Sequence, residues 1–272
     1  MLFSPSSAAT PFSIWPWLTR LGEAQILLPL VLVACLWLWR TSERGGRDEA
    51  QPGALTPSTQ LAPVARRWLF WLGAAAALTT LSKLAFIGWG LGIEALDFTG
   101  ISGHAMFASA VLPMLAWTLV RGRSLRVQRG AVALAFALAA LIAYSRLKVG
   151  AHSSVEAWAG LLLGSGASLL SLPRRMRVSS SSASALGQRP PTWLPAGVVA
   201  ALLLLPIGAP PSRSHDLVTQ LALQLSGQQR PFQRLQLKLH LPAHQQQLPG
   251  QMQRQQQQPP QPGIAHGATA PV

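Results

Sequence analysis

Charge is scarce in this sequence: only 11% of its 272 residues are Asp, Glu, Lys or Arg, while 49% are hydrophobic. A soluble globule carries more polar surface than that, so the composition points to an integral membrane protein. Acids are the scarcer half, 8 against 22 Lys and Arg, which leaves a formal net charge of +14. Such an excess invites a nucleic-acid reading, but its distribution speaks against one. Basic residues cluster at Arg40–Arg47, Arg66–Arg67, Arg121–Arg129 and Arg174–Arg177, each just outside an apolar run. That is the pattern of positive-inside anchoring. Cysteine is nearly absent, and the single Cys35 excludes an intrachain disulfide; inside an apolar run it is most simply a small filler. No basic n-region or cleavage site accompanies that first run, so it is expected to be a retained span and not a signal peptide. No cluster of metal ligands stands out either, and no cofactor is expected.

Six long apolar runs are present: Ala24 to Trp39, Trp68 to Ile87, Ser102 to Val120, Ala131 to Tyr144, Val155 to Leu172 and Trp193 to Ile207. An all-α membrane bundle of about six transmembrane helices is therefore expected over residues 24–210, after an N-terminal lead of residues 1–23. A loop over Thr41 to Pro63 and a serine-rich linker from Ser179 to Pro191 separate runs. Residues 211–243 read as a surface segment with one short amphipathic helix carrying Leu217, Leu221 and Leu225. From His244 to Val272 the chain is mostly Gln and Pro, a composition unable to bury a core, and disorder is expected there. The arginine-rich loops after the first, third and fifth runs should be cytoplasmic. Lys83, His104, Arg146, His152 and Glu156 then all fall on the opposite face, the periplasmic one in a bacterial inner membrane. The ten tryptophans are expected to form interfacial belts.

The chemistry gathers in Tyr144-Ser-Arg-Leu-Lys-Val-Gly-Ala-His-Ser-Ser-Val-Glu156, read as a turn-like segment between two runs. Charged groups beside apolar helices are costly and tend to mark function. His152 can act as a nucleophile that splits a displacement into two steps. Glu156, four residues on, shares its face if a helix starts there, and could orient the imidazole. Ser153-x-x-Glu156 also matches a capping box, which would give the carboxylate a purely local task. Arg146 offers a planar donor fork suited to phosphate oxygens. Ser102-Gly103-His104 opens another apolar helix, where free N–H groups and a positive dipole end favour an anion. His104 could protonate a leaving oxygen, or simply sit at the interface. Lys83 ends a run and either snorkels or meets the same phosphate.

In order and spacing these elements resemble the type 2 phosphatidic acid phosphatase (PAP2) superfamily, which also includes vanadium-dependent haloperoxidases. That family's pattern runs Lys-x6-Arg-Pro, then Pro-Ser-Gly-His, then Ser-Arg-x5-His-x3-Asp. Here the third element is Ser145-Arg146, five residues, His152, three residues, Glu156; the second is Ile101-Ser102-Gly103-His104. The first keeps Lys83 but has Gly90 and Leu91 at the arginine and proline positions. The resemblance covers roughly Lys83 to Gly160. It implies His152 as the nucleophile forming a phosphohistidine, Glu156 in place of an orienting aspartate, and His104 as the acid for the leaving group. Lys83, Ser102, Gly103 and Arg146 would hold the phosphoryl oxygens. The implied activity is hydrolysis of a lipid phosphate or pyrophosphate, with membrane lipids as the surroundings and no nucleic-acid partner. The changes at Gly90 and Glu156 motivate an alternative, a PAP2-like protein that binds lipid phosphates with little or no turnover. Lys148 is a candidate replacement for the missing arginine.

Overall fold

Long apolar stretches in a bilayer have no water to satisfy their backbone polar groups, so they coil into helices. The computed structural model of the protein describes residues 13–48, 61–173, 190–191, 193–208 and 214–239. Among them run nine α-helices: α1 (Trp15–Arg20), α2 (Ala24–Asp48), α3 (Leu61–Trp89), α4 (Gly103–Val120), α5 (Leu125–Lys148), α6 (Ser154–Ser171), α7 (Trp193–Gly208), α8 (Ser214–Ser226) and α9 (Arg234–Leu239). Between α3 and α4 lie a 3-10 turn at Glu94–Leu96 and a single β-bridge joining Ile93 and Phe98. The protein is an all-α membrane helix bundle.

Four helices, α2 to α5, are long and apolar enough to cross a membrane. The remaining two expected spans do form as helices, each with a limitation. The 18 residues of α6 are interrupted by Gly160, Gly164, Gly166, Ser165 and Ser168. The 16 residues of α7 rise about 24 Å at 1.5 Å per residue, short of a hydrocarbon core about 30 Å thick. Several boundaries also differ from the apolar runs. Helix α3 starts at Leu61, ahead of Arg66-Arg67, because Pro63 is tolerated in a first turn whose N–H groups are unpaired anyway. Helix α5 starts inside the basic loop at Leu125 and continues through Arg146 and Lys148. Cations in a last turn complement the helix dipole, so half of the segment read as a turn is helical. Ser179–Arg189 of the expected linker, the Arg174–Arg177 cluster, residues 1–12 of the expected lead and the Gln/Pro-rich 244–272 lie outside the described residues.

Helix α4 is the centre. It packs against α2, α3, α5 and α6, and twelve of its residues are buried, from Ala105 and Met106 to Trp117 and Thr118. The outer helices turn Leu32, Phe70, Leu81, Leu134 and Leu162 outward, as lipid contact requires. The α6–α4 contact is backbone to backbone. A Cβ on Gly160 would collide with the Ser102 carbonyl, and one on Gly164 with the Met106 carbonyl and the Ser109 hydroxyl. Glycines four apart let two helices approach this closely. The tryptophan belt is only partly realised. Trp39, Trp89, Trp158 and Trp193 are exposed, but Trp68 and Trp117 are fully buried in the core. The Trp68 indole N–H donates to the Ala110 carbonyl at 3.1 Å, which gives the buried ring the partner it needs.

Candidate functional site

Helices α2, α4 and α6 begin, and α3 and α5 end, at one end of the bundle. That alternation brings Lys83, Gly103, His104, Arg146 and His152 to the wall of a single cavity of about 990 Å³. Four of the chain's separated elements thus meet there, although Lys83 and Arg146 are 63 positions apart in numbering.

The third element is the most tightly built. Ser153 is the N-cap of α6: its hydroxyl accepts from the Glu156 N–H at 3.3 Å, and Glu156 Oε2 accepts from the Ser153 N–H at 3.1 Å. The same Oε2 lies 2.8 Å from His152 Nδ1. The capping box and the histidine contact, which compete as explanations in the sequence, are served by one carboxylate. A carboxylate only accepts, so Nδ1 carries the proton and Nε2 keeps its lone pair. Burial pushes the His152 imidazole below its ordinary range; the Glu156 hydrogen bond pushes back, and Lys83 and Arg146 reinforce burial. The net direction keeps the ring neutral near pH 7. Glu156 itself is completely buried.

The second element is tied to the third by a backbone bond, Ser102 N–H to the Glu156 carbonyl at 3.1 Å. Ser102 is the N-cap of α4 without a side-chain cap bond. It sits behind the cavity wall, and its buried hydroxyl has no hydrogen-bond partner. Gly103 and His104 face the cavity. Lys83 Nζ lies 3.7 Å from where a Cβ on residue 103 would stand, so the ammonium sits over the start of α4. Its stem passes Gly100, where a Cβ would come within 2.9 Å of Lys83 Cγ and where φ is +149°; only glycine suits that place. Ile101 fills the family's proline position, and its N–H donates to Ser82 Oγ at 3.0 Å. Proline has no N–H to make that bond.

Arg146 is oriented from the N-terminal side of the chain. Its Nη1 donates to Thr19 Oγ1 at 2.8 Å, Glu23 is the acid that faces it, and its buried Nε has no partner. Lys148 does not line the cavity; its ammonium stands 5.2 Å over the Tyr144 ring. The replacement cation expected there is directed elsewhere.

Several groups at the site carry no signal in the sequence. Thr99 donates to Glu156 Oε1 twice, from N at 2.6 Å and Oγ1 at 2.7 Å. Arg234 donates from Nη2 to Glu156 Oε2 at 2.7 Å and from Nη1 to Asp97 Oδ2 at 2.8 Å. Arg234 belongs to a segment whose Val218, Ala222 and Phe232 pack on Leu84, Phe86 and Ile87 of α3, while Leu217, Leu221 and Leu225 of α8 face outward. Among the described residues no three His, Cys, Asp or Glu side chains are grouped to hold a metal ion. Chemically the cavity can bind an anion between two cations, present it to a neutral imidazole nitrogen, and offer a second imidazole for proton transfer.

A family model described as the PAP2 superfamily matches residues 86–177. Over 229 residues the chain is 32% identical to an uncharacterised 22.5 kDa protein in the cps region of Klebsiella pneumoniae, covering 82% of this chain and 97% of that one. No solved structure matches.

Proposed function

The chain belongs to the PAP2 superfamily, and from that premise we propose that it is a membrane phosphatase acting on a lipid phosphate or pyrophosphate through a phosphohistidine. One observation carries the reading: His152 is fixed through Nδ1 by Glu156 and shares its cavity with His104, Lys83 and Arg146. In the first step Nε2 of His152 attacks phosphorus, the bond from phosphorus to the lipid oxygen breaks, and a proton from His104 goes to the departing oxygen. Lys83, Arg146 and the Gly103 N–H hold the phosphoryl oxygens as charge spreads over them, with Ser102 setting the start of α4 behind them. In the second step His104 takes a proton from water, the water oxygen attacks phosphorus, and the phosphorus–nitrogen bond breaks. Inorganic phosphate leaves and both imidazoles return to their starting forms.

The site lies at helix ends, so a substrate can keep its tail among lipids while its phosphate enters. The arginine distribution supports a non-cytoplasmic position for that end, which in this reading is the periplasmic side of a bacterial inner membrane. In this reading residues 24–210 are the phosphatase domain. Within the segment 211–243 the described residues 214–239 lie along it with the outward leucines of α8 at the interface, and 244–272 are the Gln/Pro-rich stretch that follows in the sequence. The absence of a cation at Gly90 favours the second reading, a binder with weak or no turnover.

Phosphate release from a panel of lipid phosphates by detergent-purified protein separates the two. His152→Ala should lose about 10⁴-fold or more in kcat, by analogy with removal of other enzyme nucleophiles, and His104→Ala about 10²- to 10⁴-fold. Because burial keeps His152 neutral, the acid limb of kcat/KM should lie below the ordinary histidine value of about 6.5. Retained lipid binding with no release from any substrate would establish the binder instead.

A further inference from the structure

The family match ends at residue 177, yet the Glu156 carboxylate is held from beyond it. We propose that Arg234 is a positioning residue for the reaction, one that fixes the Glu156 carboxylate on His152 and carries its counter-charge. This rests on the reading of His152 as the nucleophile.

Five donors converge on Glu156. Thr99 fills Oε1 with two bonds, and Oε2 takes His152 Nδ1, the Ser153 N–H and Arg234 Nη2. Of these only Arg234 bears a permanent charge. A carboxylate with no exposure needs a cation, or it draws a proton from its surroundings. The other cations nearby, Lys83 of α3 and Arg146 of α5, face the cavity where a phosphate would sit. Without Arg234 the nearest source of compensation is therefore His152 itself. An imidazolium paired with Glu156 has no lone pair on Nε2 and cannot attack.

Geometry also explains why this cation comes from so far along the chain. Gly90 occupies the position of the family's arginine, with φ of +69°, and a Cβ there would come within 3.0 Å of the Phe232 ring. The Phe232 N–H donates to the Ile87 carbonyl at 3.0 Å, anchoring the segment at the end of α3. The space beside residue 90 is taken by the segment that delivers Arg234 two residues later. The delivered guanidinium does a different task, because both of its outer nitrogens are spent on carboxylates: Nη1 on Asp97 and Nη2 on Glu156. Glutamate is one methylene longer than the family's aspartate and has one more rotatable bond to restrain. Thr99 supplies that restraint on Oε1, and Arg234 on Oε2, the oxygen that His152 also binds.

Other charges face His152 and stay in place in the test. His104 of α4 lies across the cavity together with Lys83 and Arg146, and Glu23 stands beside Arg146. Asp97 is bound to Arg234 itself, and His215 and Asp216 of α8 line the outer wall.

The test uses the full chain in detergent with ¹³C-labelled histidine. His152 is assigned by its loss in His152→Ala, and its titration is followed by NMR in the wild type, Arg234→Gln and Arg234→Lys. The kcat and KM are measured over pH on a lipid phosphate that the wild type hydrolyses. In Arg234→Gln the imidazole should titrate at higher pH than in the wild type, and the acid limb of kcat/KM should move up with it. The kcat should fall about 10- to 100-fold, by analogy with the loss of an outer partner behind a metal-bound histidine, with KM changed less. Arg234→Lys should restore the titration and most of kcat. An unmoved titration in Arg234→Gln overturns the proposal, and so does a lysine variant no better than the glutamine one. Should Arg234→Gln fail to fold, Arg234→Lys decides alone: a wild-type titration supports the proposal and an upward shift overturns it. If the wild type hydrolyses no phosphate at all, the phosphatase reading fails, while the titration still judges the Arg234–Glu156–His152 chain.

Discussion

The two ends of the bundle use arginine in opposite ways. At the end away from the cavity, Arg67 Nη2 donates to the carbonyls of Ser171 at 2.7 Å and Leu172 at 3.3 Å, closing the last turn of α6. Arg121 lies against the Trp37 ring at 5.4 Å and reaches Thr41 Oγ1 at 3.3 Å. These guanidiniums meet helix carbonyls, a ring face and a hydroxyl, and they hold helices together. At the cavity end stand the acids whose side chains are described: Glu23, Glu94, Asp97, Glu156 and Asp216. There Arg234 is matched to carboxylates, while Lys83 and Arg146 line open space. A count of basic residues orients the bundle but does not say what each guanidinium meets. Among the described side chains the acids tell the two ends apart, because Asp97 and Glu156 hold Arg234 and Glu156 also aims His152.

That contrast makes separable predictions. Glu156→Gln, at the cavity end, should lower kcat about 10³- to 10⁴-fold, as when an amide replaces the carboxylate behind a catalytic histidine. Circular dichroism and gel filtration should meanwhile show the helices and the monodisperse particle retained. Gly164→Val lies between the ends and should cost about 3 kcal/mol through overpacking against Met106 and Ser109, read as a lower midpoint of thermal unfolding in detergent. Turnover should fall with it, since α6 carries Glu156. Arg67→Met, at the far end, should cost about 1 kcal/mol by uncapping α6 and leave kcat unchanged. A matching loss of turnover in Arg67→Met would erase the distinction between the ends.

Much of the site is legible in the sequence because its pieces are local and oddly polar. Ser102-Gly103-His104 announces a helix start, and α4 begins at Gly103. His152 and Glu156 are spaced for one face of a helical turn, and their side chains meet although His152 stands before the Ser153 N-cap, outside α6. Lys83 is visible as a cation where an apolar run ends. What escapes is whatever depends on distant pairing. Thr99 and Arg234 reach Glu156 across 57 and 78 residues, and Thr19 reaches Arg146 across 127. Arg234 is hidden further by its setting, a Gln-rich stretch whose composition blends into the tail. The extension of α5 to Lys148 escapes for another reason. Hydropathy stops marking a helix where its last turn leaves lipid, although the backbone hydrogen bonds continue.

The close seat of α6 on α4 bears on how the protein is made. A segment with so many glycines and serines gains little by partitioning into lipid from the insertion machinery alone. Its docking surface is the backbone of α4 around Ser102 and Met106, which is synthesised 58 residues ahead of Gly160 and Gly164. Entry of α6 into the bilayer is therefore expected to wait for α4, so His104 and His152 come to share one cavity only once the ribosome has moved well past both.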